Sequence, residues 1–429
     1  MSGKGKNVYV GMSGGVDSSV TAALLVEQGY NVTGVFMKNW AQDLPGFKCP
    51  WREDLADAKR VAVQLGIPFK IYDFQNEYKQ KVVDYMITEY QAGRTPNPDI
   101  MCNQEVKFKL FLETALEDGA DMIATGHYAR VARAPIFNSQ LPISNQFPNI
   151  NVQILQQDMN SRHPELDSGS SNNISATADE KSDWIPDRVR NDRSSNFQIP
   201  TSTFHLHQAV DKNKDQTYFL YRITEEALSK TLFPLGEMTK PEVRVRAKEL
   251  GLITAEKKDS VGICFVGEIG IKEFLQNFVQ TEPGAIIEKK SGAVVGKHEG
   301  AIFYTIGQRH GLNVGGGMPY YVVGKDMAKN EVYVTTDLND GTLWQKSLLV
   351  TDVHWINGVP SANNYEQWNK KEGHLKVRTR HRAQLVSCTI SRKDEFVEVK
   401  LKDEIRALTT GQSAVLYDGE TCLGGGIIV

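Results

Sequence analysis

The chain has 429 residues, of which 40% are hydrophobic and 24% are charged, and its formal net charge at pH 7 is −3. This length exceeds the roughly 250–300 residues that one hydrophobic core supports, so we expect two or three domains. The near-neutral charge excludes nucleic-acid binding driven by overall charge and leaves only local basic patches for it. The sequence lacks both a ~20-residue apolar run and a secretory segment, so we expect a cytoplasmic protein that contacts no membrane.

A glycine-rich loop follows the first predicted strand. The β-branched and aromatic run at residues 7–10 predicts a buried strand, and the apolar spacing after residue 19 predicts a helix. The loop between them, Gly-Met-Ser-Gly-Gly-Val-Asp-Ser-Ser, aims backbone amides and a helix N-terminus at one spot, which favours phosphate. Asp17 would repel phosphate unless a magnesium ion lies between them. The loop is not a Walker A motif, and an ordinary glycine turn before a core helix is the alternative.

Strands and helices alternate over the first part of the chain. We predict strands at residues 32–37, 69–74 and 122–125, and helices at residues 53–65, 78–90 and 106–116. This alternation is typical of a doubly wound parallel sheet of the α/β class, with ligands at the carboxyl ends of the strands. A loop containing Pro96 and Pro98 precedes Cys102, and we expect it to be neither helix nor strand. This loop, the glycine loop, Met37 and Gly126 all follow strands or precede helices, so they can meet in one crevice.

Residues 134–203 differ in character from their surroundings. They are rich in Asn, Ser, Gln and Asp, show no periodicity, and contain five Lys/Arg against eight Asp/Glu, which equals the net charge of the chain. We interpret this segment as a weakly ordered insertion at the surface. A functional lid is the alternative.

The rest of the chain changes from helical to strand periodicity. Helices are predicted at residues 224–232, 241–250 and 271–278, the second of them capped by Thr239. After residue 284 the periodicity becomes two, which predicts two small β-rich modules, the last a β-barrel. We therefore expect a catalytic domain at residues 1–274, a central β-rich domain at 275–340 and a C-terminal β-barrel domain at 341–429.

We expect the cysteines to form neither a disulfide framework nor a metal knuckle, because their number is odd, their spacing is wide and no zinc-type spacing occurs. They are Cys49, Cys102, Cys264, Cys388 and Cys422. Cys102 lies near a predicted helix start, which stabilises a thiolate, and Cys264 follows a polar loop. For both, a buried core thiol is the alternative, and it is our interpretation of the other three.

Several motifs carry a specific family resemblance. The Ser-Gly-Gly-Val-Asp-Ser loop after a strand resembles the pyrophosphate loop of the ATP pyrophosphatase superfamily, whose members split ATP between its α and β phosphates. The wider pattern resembles that superfamily's tRNA 2-thiouridylase branch. The matching motifs are Gly-Arg-Thr-Pro-Asn-Pro-Asp-x-x-Cys-Asn at 93–103, Gly-His-Tyr at 126–128, Asp-x-Asn-Lys-Asp-Gln-x-Tyr-Phe-Leu at 211–220, Gly-Ile-Cys-Phe at 262–265, and the stretches 307–312, 411–415 and 422–426. Residues 134–203 are foreign to this pattern.

The resemblance implies an ATP-dependent sulfurtransferase that thiolates C2 of the wobble uridine of tRNA. Its C2 oxygen would be adenylated, and a persulfide on Cys264, loaded by a sulfur-relay protein or cysteine desulfurase, would deliver sulfur. Cys102 would then attack the resulting disulfide or assist sulfur release, and Asp99 would transfer a proton or contact the flipped base.

The resemblance also implies two sets of binding residues. ATP, with Mg²⁺, would lie on Gly11, Met12, Ser13, Gly14, Gly15, Val16, Asp17, Ser18, Met37 and Gly126. The tRNA would contact Asn97, Pro98, Asp99, His127, Lys214, Asp215, Gln216, Arg380, His381 and Gln412. Two alternatives remain: an amide-forming ligase of the same superfamily, which needs no cysteine pair, and a redox-switched RNA-binding protein, which releases no pyrophosphate.

Overall fold

The computed structural model describes residues 5–45, 49–135, 202–259, 270–315, 317–370 and 373–429. The predictions for Cys264 and for nearly all of the 134–203 insertion lie outside these residues. Across the described helices, none combines the length and apolar character that a membrane crossing requires.

The elements are numbered in chain order. The strands are β1 (Asn7–Gly11), β2 (Asn31–Lys38), β3 (Phe69–Asp73), β4 (Met122–Ala124), β5 (Ala129–Pro135), β6 (Ser202–Gln208), β7 (Thr231–Leu232), β8 (Gly284–Glu288), β9 (Val294–His298), β10 (Tyr321–Asp326), β11 (Glu331–Thr335), β12 (Trp344–Trp355), β13 (Leu375–Arg378), β14 (Val386–Lys393), β15 (Phe396–Arg406), β16 (Ser413–Asp418) and β17 (Thr421–Ile428). The α-helices are α1 (Val16–Glu27), α2 (Trp51–Leu65), α3 (Gln75–Tyr78), α4 (Asp84–Gln91), α5 (Pro98–Met101), α6 (Phe111–Glu117), α7 (Thr217–Leu220), α8 (Glu225–Ser229), α9 (Lys240–Glu249), α10 (Ile271–Leu275) and α11 (Ala362–Lys370). Within the described ranges there are also two π-helical segments, Lys79–Val83 and Cys102–Leu110, and a short 3₁₀-helix, Ala301–Phe303.

The N-terminal part is built on a parallel sheet with the strand order β3-β2-β1-β4-β7. Val8 and Val10 of β1 are fully buried and share a hydrophobic core with Val20 of α1 and Val243 of α9. The strand order reverses between β1 and β4, so a crevice opens beyond the carboxyl ends of these two strands. The predicted doubly wound parallel sheet is confirmed.

Three local predictions differ from the structure, and the simplest difference is that the helix predicted over 271–278 ends at Leu275. The helix predicted to begin at residue 106 begins at Pro98 and runs without a break through a π-helical middle segment to Glu117, so the expectation that the proline loop is not helical is wrong from Pro98 onward. Proline is tolerated there because the first helical residue needs no N–H donor. The helix predicted over 224–232 ends at Ser229, and Thr231 instead pairs in parallel with Ile123 to add the last strand of the sheet.

The C-terminal half contains two separate β-structures. A four-stranded sheet has the order β10-β11-β8-β9, and strands β12-β15-β14-β13-β16-β17 close into a six-stranded barrel through the pairing of Val350 with Ile428. β17 also pairs with β6, which places Cys422 opposite Leu206 and joins the barrel to the N-terminal part. The predicted β-rich modules and terminal barrel are confirmed, whereas the boundaries near residues 274 and 340 stay predictions.

Candidate functional site

The glycine loop forms a tight turn between β1 and α1. Gly14 has a φ of +73°, and a Cβ atom at this position would lie 2.2 Å from the Asp54 carbonyl oxygen, so only glycine fits. Ser18 Oγ accepts a hydrogen bond from Ser13 N at 3.2 Å and donates one to the Gly15 carbonyl at 3.1 Å. Gly15 is the N-cap residue of α1 and offers no side-chain cap, which favours an external anion at the first-turn amides.

The predicted nucleotide-binding residues meet at one edge of the parallel sheet. A Cβ atom on Gly126, just after β4, would lie 2.9 Å from Asp17 C and Ser18 N. A Cβ atom on Gly11 would lie 3.1 Å from Met37 Cε. The loop, the end of β2 and the end of β4 therefore border the same crevice, as their order along the chain predicts.

Asp17 in this loop has two partners that sequence reasoning missed. Lys240 Nζ lies 2.8 Å from both carboxylate oxygens of Asp17, and the Tyr128 hydroxyl donates to Asp17 Oδ1 at 2.8 Å. Burial, and then the Asp17 carboxylate, raises the pKa of Tyr128, so its hydroxyl stays a hydrogen-bond donor. Tyr128 belongs to the Gly-His-Tyr motif, but the sequence offered no direct signal for Lys240.

Asp259 extends this charged network. Its carboxylate contacts Lys240 at 2.8 Å, Lys214 at 2.7 Å and Arg244 at 2.6 Å. Burial alone raises the pKa of Asp259, but the hydrogen bonds from Lys214 and Lys240 outweigh it and hold that pKa far below its usual range. Asp259 therefore stays ionised, and the edge of the crevice carries three cations around two carboxylates.

A second feature is a cavity of about 540 Å³ beside the helix that carries Cys102. Its walls include six of the predicted tRNA-contact residues, which are Asn97, Pro98, Asp99, Arg380, His381 and Gln412. The proline loop and the barrel are held together here, since Gln412 Nε2 donates to the Thr95 carbonyl at 3.0 Å. Thr95 N also donates to the Thr410 carbonyl at 2.9 Å.

An aromatic pair forms part of this cavity wall. The rings of His381 and Phe219 lie 4.5 Å apart with their planes tilted by 38°. Burial, and then Arg382, lowers the pKa of His381 to about 4, so its imidazole is neutral near pH 7. The buried Nδ1 of His381 has no hydrogen-bond partner among the described residues. Sequence reasoning missed Phe219, although it lies in the matched stretch 211–220.

The two predicted catalytic residues within the structure lie on one helix. Asp99 lines the cavity, and Cys102 follows three residues later on the same helical face, with only 1% of its surface exposed. Cys264 lies outside the described residues. The chain enters that segment after Asp259, beside the glycine loop, and leaves it at Gly270, which lines the cavity.

Four predicted tRNA-contact residues lie away from the cavity lining, and His127 and Lys214 are two of them. His127 is buried between Phe108 and Phe233, and its Nδ1 lies 2.8 Å from Thr125 Oγ1. Burial, and then Lys107, lowers the pKa of His127. Lys214 instead forms the ion pair with Asp259 described above.

Asp215 and Gln216 make internal contacts. The Asp215 side chain has no exposed surface and contacts Arg378 Nη1 at 2.9 Å. Gln216 Oε1 accepts a hydrogen bond from Tyr128 N at 2.9 Å. In this structure both side chains bond to neighbouring residues of the fold, and neither lines the cavity.

Three protein families match successive parts of the chain. Residues 6–148 and 192–268 match the family described as "tRNA methyl transferase HUP domain". Residues 272–336 match "tRNA methyl transferase PRC-barrel domain", and residues 345–428 match "Aminomethyltransferase beta-barrel domain". The three matches contain, in turn, the parallel sheet, the four-stranded sheet and the closed barrel.

Curated relatives match over nearly the whole length. The tRNA-specific 2-thiouridylase MnmA of Bacillus cytotoxicus is 41% identical over 423 residues, which is 98% of this chain and 94% of the relative. The chain belongs to the MnmA family. The MnmA relative of Bacillus thuringiensis has the same identity over the same shares of both chains. A solved structure titled as a "predicted subunit of tRNA methyltransferase" from Methanocaldococcus jannaschii aligns with 35% of this chain and 62% of its own, at 19% identity and a TM-score of 0.21.

Proposed function

We propose that this member of the MnmA family is an ATP-dependent sulfurtransferase that converts the wobble uridine of tRNA to 2-thiouridine. The observation that carries the proposal is the cavity bordered by the Cys102 helix, which has the size of a small-molecule site and an aromatic wall. Enzymes that modify a base inside folded nucleic acid take it out of the stack and hold it against aromatic and polar groups. His381, Phe219 and Asp99 supply such groups.

ATP would occupy the crevice at the glycine loop. The loop amides and the N-terminus of α1 would bind its phosphates, and Met37 and Gly126 would border its adenosine. No group of three or more His, Cys, Asp or Glu side chains in the described ranges could hold a metal ion by itself. The carboxylate of Asp17 suits Mg²⁺, which binds through one or two carboxylates together with substrate phosphates and would neutralise phosphate charge.

The reaction needs adenylation because the C2 oxygen of uridine is a poor leaving group, whereas AMP leaves readily. The terminal sulfur of a Cys264 persulfide would attack C2 as AMP departs, leaving C2 joined to Cys264 through two sulfur atoms. The Cys102 thiolate would then attack Cys264 Sγ, which breaks the sulfur–sulfur bond, leaves the outer sulfur on C2 and forms a Cys102–Cys264 disulfide. A thiol reductant would restore both cysteines, and a sulfur-relay protein or cysteine desulfurase would reload Cys264.

Two observations support this assignment of the cysteines. Asp99, one helical turn before Cys102, faces the cavity, where it could take or return a proton at the base. The residues on either side of the Cys264 segment, Asp259 and Gly270, border the two places that the reaction must connect. Asp215 and Gln216 would act by positioning their neighbours instead of contacting tRNA.

The test compares wild type with Cys264→Ala, Cys102→Ala and Cys388→Ala, the last altering a buried barrel thiol as a matched control. Each protein receives ATP, Mg²⁺, unmodified tRNA and a cysteine desulfurase with cysteine. We expect wild type and the control to form 2-thiouridine, measured by nucleoside mass spectrometry, and to release pyrophosphate. We expect neither Cys264→Ala nor Cys102→Ala to accumulate 2-thiouridine.

Two results would contradict the proposal. Thiolation by Cys264→Ala would remove that residue as the sulfur carrier. ATP turnover by wild type without any thiolation would favour the amide-forming ligase instead.

A further inference from the structure

The glycine loop contains no cation, although the substrate proposed for it is highly anionic. Residues 11–19 contribute backbone amides, hydroxyl groups and the Asp17 carboxylate, but no lysine or arginine. Phosphate-transfer sites commonly add a lysine or arginine to backbone amides, because charge-assisted hydrogen bonds to phosphate are the strong ones. A lysine or arginine that complements Mg²⁺ at the phosphates would therefore have to come from another part of the chain.

Lys240 supplies a cation at this place. Its Nζ lies 2.8 Å from both Asp17 oxygens, 223 residues away along the chain, and its side chain is only 12% exposed. The ammonium group also lies 5.9 Å from the centre of the Tyr128 ring. Lys240 therefore points at Asp17, the loop residue whose carboxylate suits Mg²⁺.

The backbone of Lys240 is fixed from both sides. Lys240 N donates to Asp211 Oδ2 at 2.9 Å, and Thr239 and Glu242 form a capping box around the start of α9. Lys240 is the first residue of this helix, where a positive charge opposes the helix dipole. The contacts that offset this unfavourable position, with Asp17 and Asp259, both lie outside the helix.

The surrounding charges allow Lys240 to change partners. Asp259 is the second carboxylate that contacts Lys240. If Lys240 moves, Asp259 retains its ion pairs with Lys214 at 2.7 Å and Arg244 at 2.6 Å. Asp17 keeps the Tyr128 hydroxyl and could accept a substrate-bound cation in place of Lys240. The ammonium group can therefore leave Asp17 without leaving either carboxylate unpartnered.

We propose that Lys240 binds the β- and γ-phosphates of ATP, exchanging its contact with Asp17 for phosphate oxygens. This inference rests on the proposed function only in requiring that ATP is the nucleotide of the glycine-loop site. It adds to that site a phosphate-binding lysine from helix α9.

The first test measures ATP and AMP binding by isothermal titration calorimetry, with Mg²⁺ and without tRNA, for Lys240→Met, Lys240→Arg and Lys248→Met. Lys248 is the matched control, because it lies on the same helix with its side chain 59% exposed. We expect Lys240→Met to bind ATP about ten- to a hundredfold more weakly, the effect of one charge-assisted hydrogen bond, with AMP affinity unchanged. Lys240→Arg should recover part of the ATP affinity, and Lys248→Met should match wild type.

The outcomes separate the inference from the function on which it rests. If wild type binds no ATP, both are wrong. If wild type binds ATP and Lys240→Met binds it equally well, or loses ATP and AMP affinity alike, only the role of Lys240 is wrong. The absence of tRNA keeps a failure of thiolation from affecting either result.

A second measurement uses wild-type protein and so does not depend on whether a variant folds. An acyl phosphate of ATP transfers its acyl group to a lysine amine beside the phosphates and releases ATP. We expect peptide mass spectrometry to find the label on Lys240 and excess ATP to prevent it. Labelling that is confined to other lysines, such as Lys257, would overturn the proposal.

Discussion

At the scale of single residues, the contacts of the Asp215 carboxylate distinguish two interpretations of the motif at 211–220. Asp215 either contacts tRNA or forms an ion pair that stabilises the fold. It accepts hydrogen bonds from Arg378 at 2.9 Å, from Thr217 Oγ1 at 3.0 Å and from Gln208 Nε2 at 3.1 Å. The Arg378 side chain is itself 9% exposed, and that of Asp215 is 0% exposed. A charge so deeply buried is tolerated only with full compensation, so the pair joins the N-terminal part to the barrel.

Replacing Arg378 by methionine should therefore destabilise the fold. The variant leaves Asp215 buried without its cation, and we expect the free energy of unfolding to fall by ~3–5 kcal/mol in urea denaturation followed by circular dichroism. Lys346→Met is the control, because its ion pair with Glu404 is exposed, and exposed pairs contribute less than ~1 kcal/mol. Unchanged stability of Arg378→Met with weakened tRNA binding would instead favour a direct tRNA contact by this pair.

The residues of the glycine loop could be identified from sequence because their chemistry is local. Asp17 stood out as a carboxylate in a phosphate-binding turn, which predicts a cationic partner. The sequence could not say that this partner includes Lys240, since 223 residues separate the two. Phe219 was missed for a similar reason, because only its contact with His381 distinguishes it from a core phenylalanine.

At the scale of elements, the end of β4 and the start of α1 approach each other too closely for any side chain. A Cβ atom on Gly126 would lie 2.9 Å from two backbone atoms of the loop. Backbone atoms cannot relieve such a clash by a change of rotamer, as a side chain can. We expect Gly126→Ala to displace the start of α1 and to lower the free energy of unfolding by ~1–3 kcal/mol. The free energy of ATP binding should weaken by at least the same amount. Isothermal titration with ATP and thermal unfolding measure the two effects.

The control for this prediction is Gly341→Ala. Nothing lies within 4 Å of a Cβ atom at that position, so its ATP affinity and stability should equal those of wild type. Wild-type ATP affinity in Gly126→Ala would mean that the nucleotide does not use this approach of strand and helix.

The elements themselves differ in how well sequence predicts them. The strands at residues 32–37 and 69–74 were identified because apolar runs and glycine stops mark them. The two-residue strand β7 carries no periodicity of its own and exists only through its pairing with β4, so the sequence pattern predicts helix there. The early helix start at Pro98 was missed because proline marks both loops and first helical residues.

At the scale of the whole molecule, the cavity belongs to no single segment. Its lining combines the proline loop, Thr305 between strands β9 and β10 of the four-stranded sheet, and Arg380, His381 and Gln412 of the barrel. The contact from Gln412 to Thr95 spans 317 residues. Family motifs named six of these residues, but periodicity and composition describe neighbours along the chain and cannot show that distant segments enclose one space.

The insertion leaves and rejoins the fold at neighbouring strands, β5 and β6. Such strands lie ~5 Å apart, so a short turn sequence can replace residues 136–201. Met1–Ala134 and Thr203–Val429 form a compact unit without it. We expect this deletion protein to form 2-thiouridine at the wild-type rate in the mass-spectrometric assay, with a higher thermal midpoint because a shorter loop loses less entropy on closing.

A companion variant with a Gly/Ser linker of equal length separates the lost sequence from the shortened connection. If both variants fold but neither thiolates tRNA, the insertion itself acts at the site, as a lid or a partner-binding segment; if only the deletion is inactive, the length of the connection matters and its sequence does not.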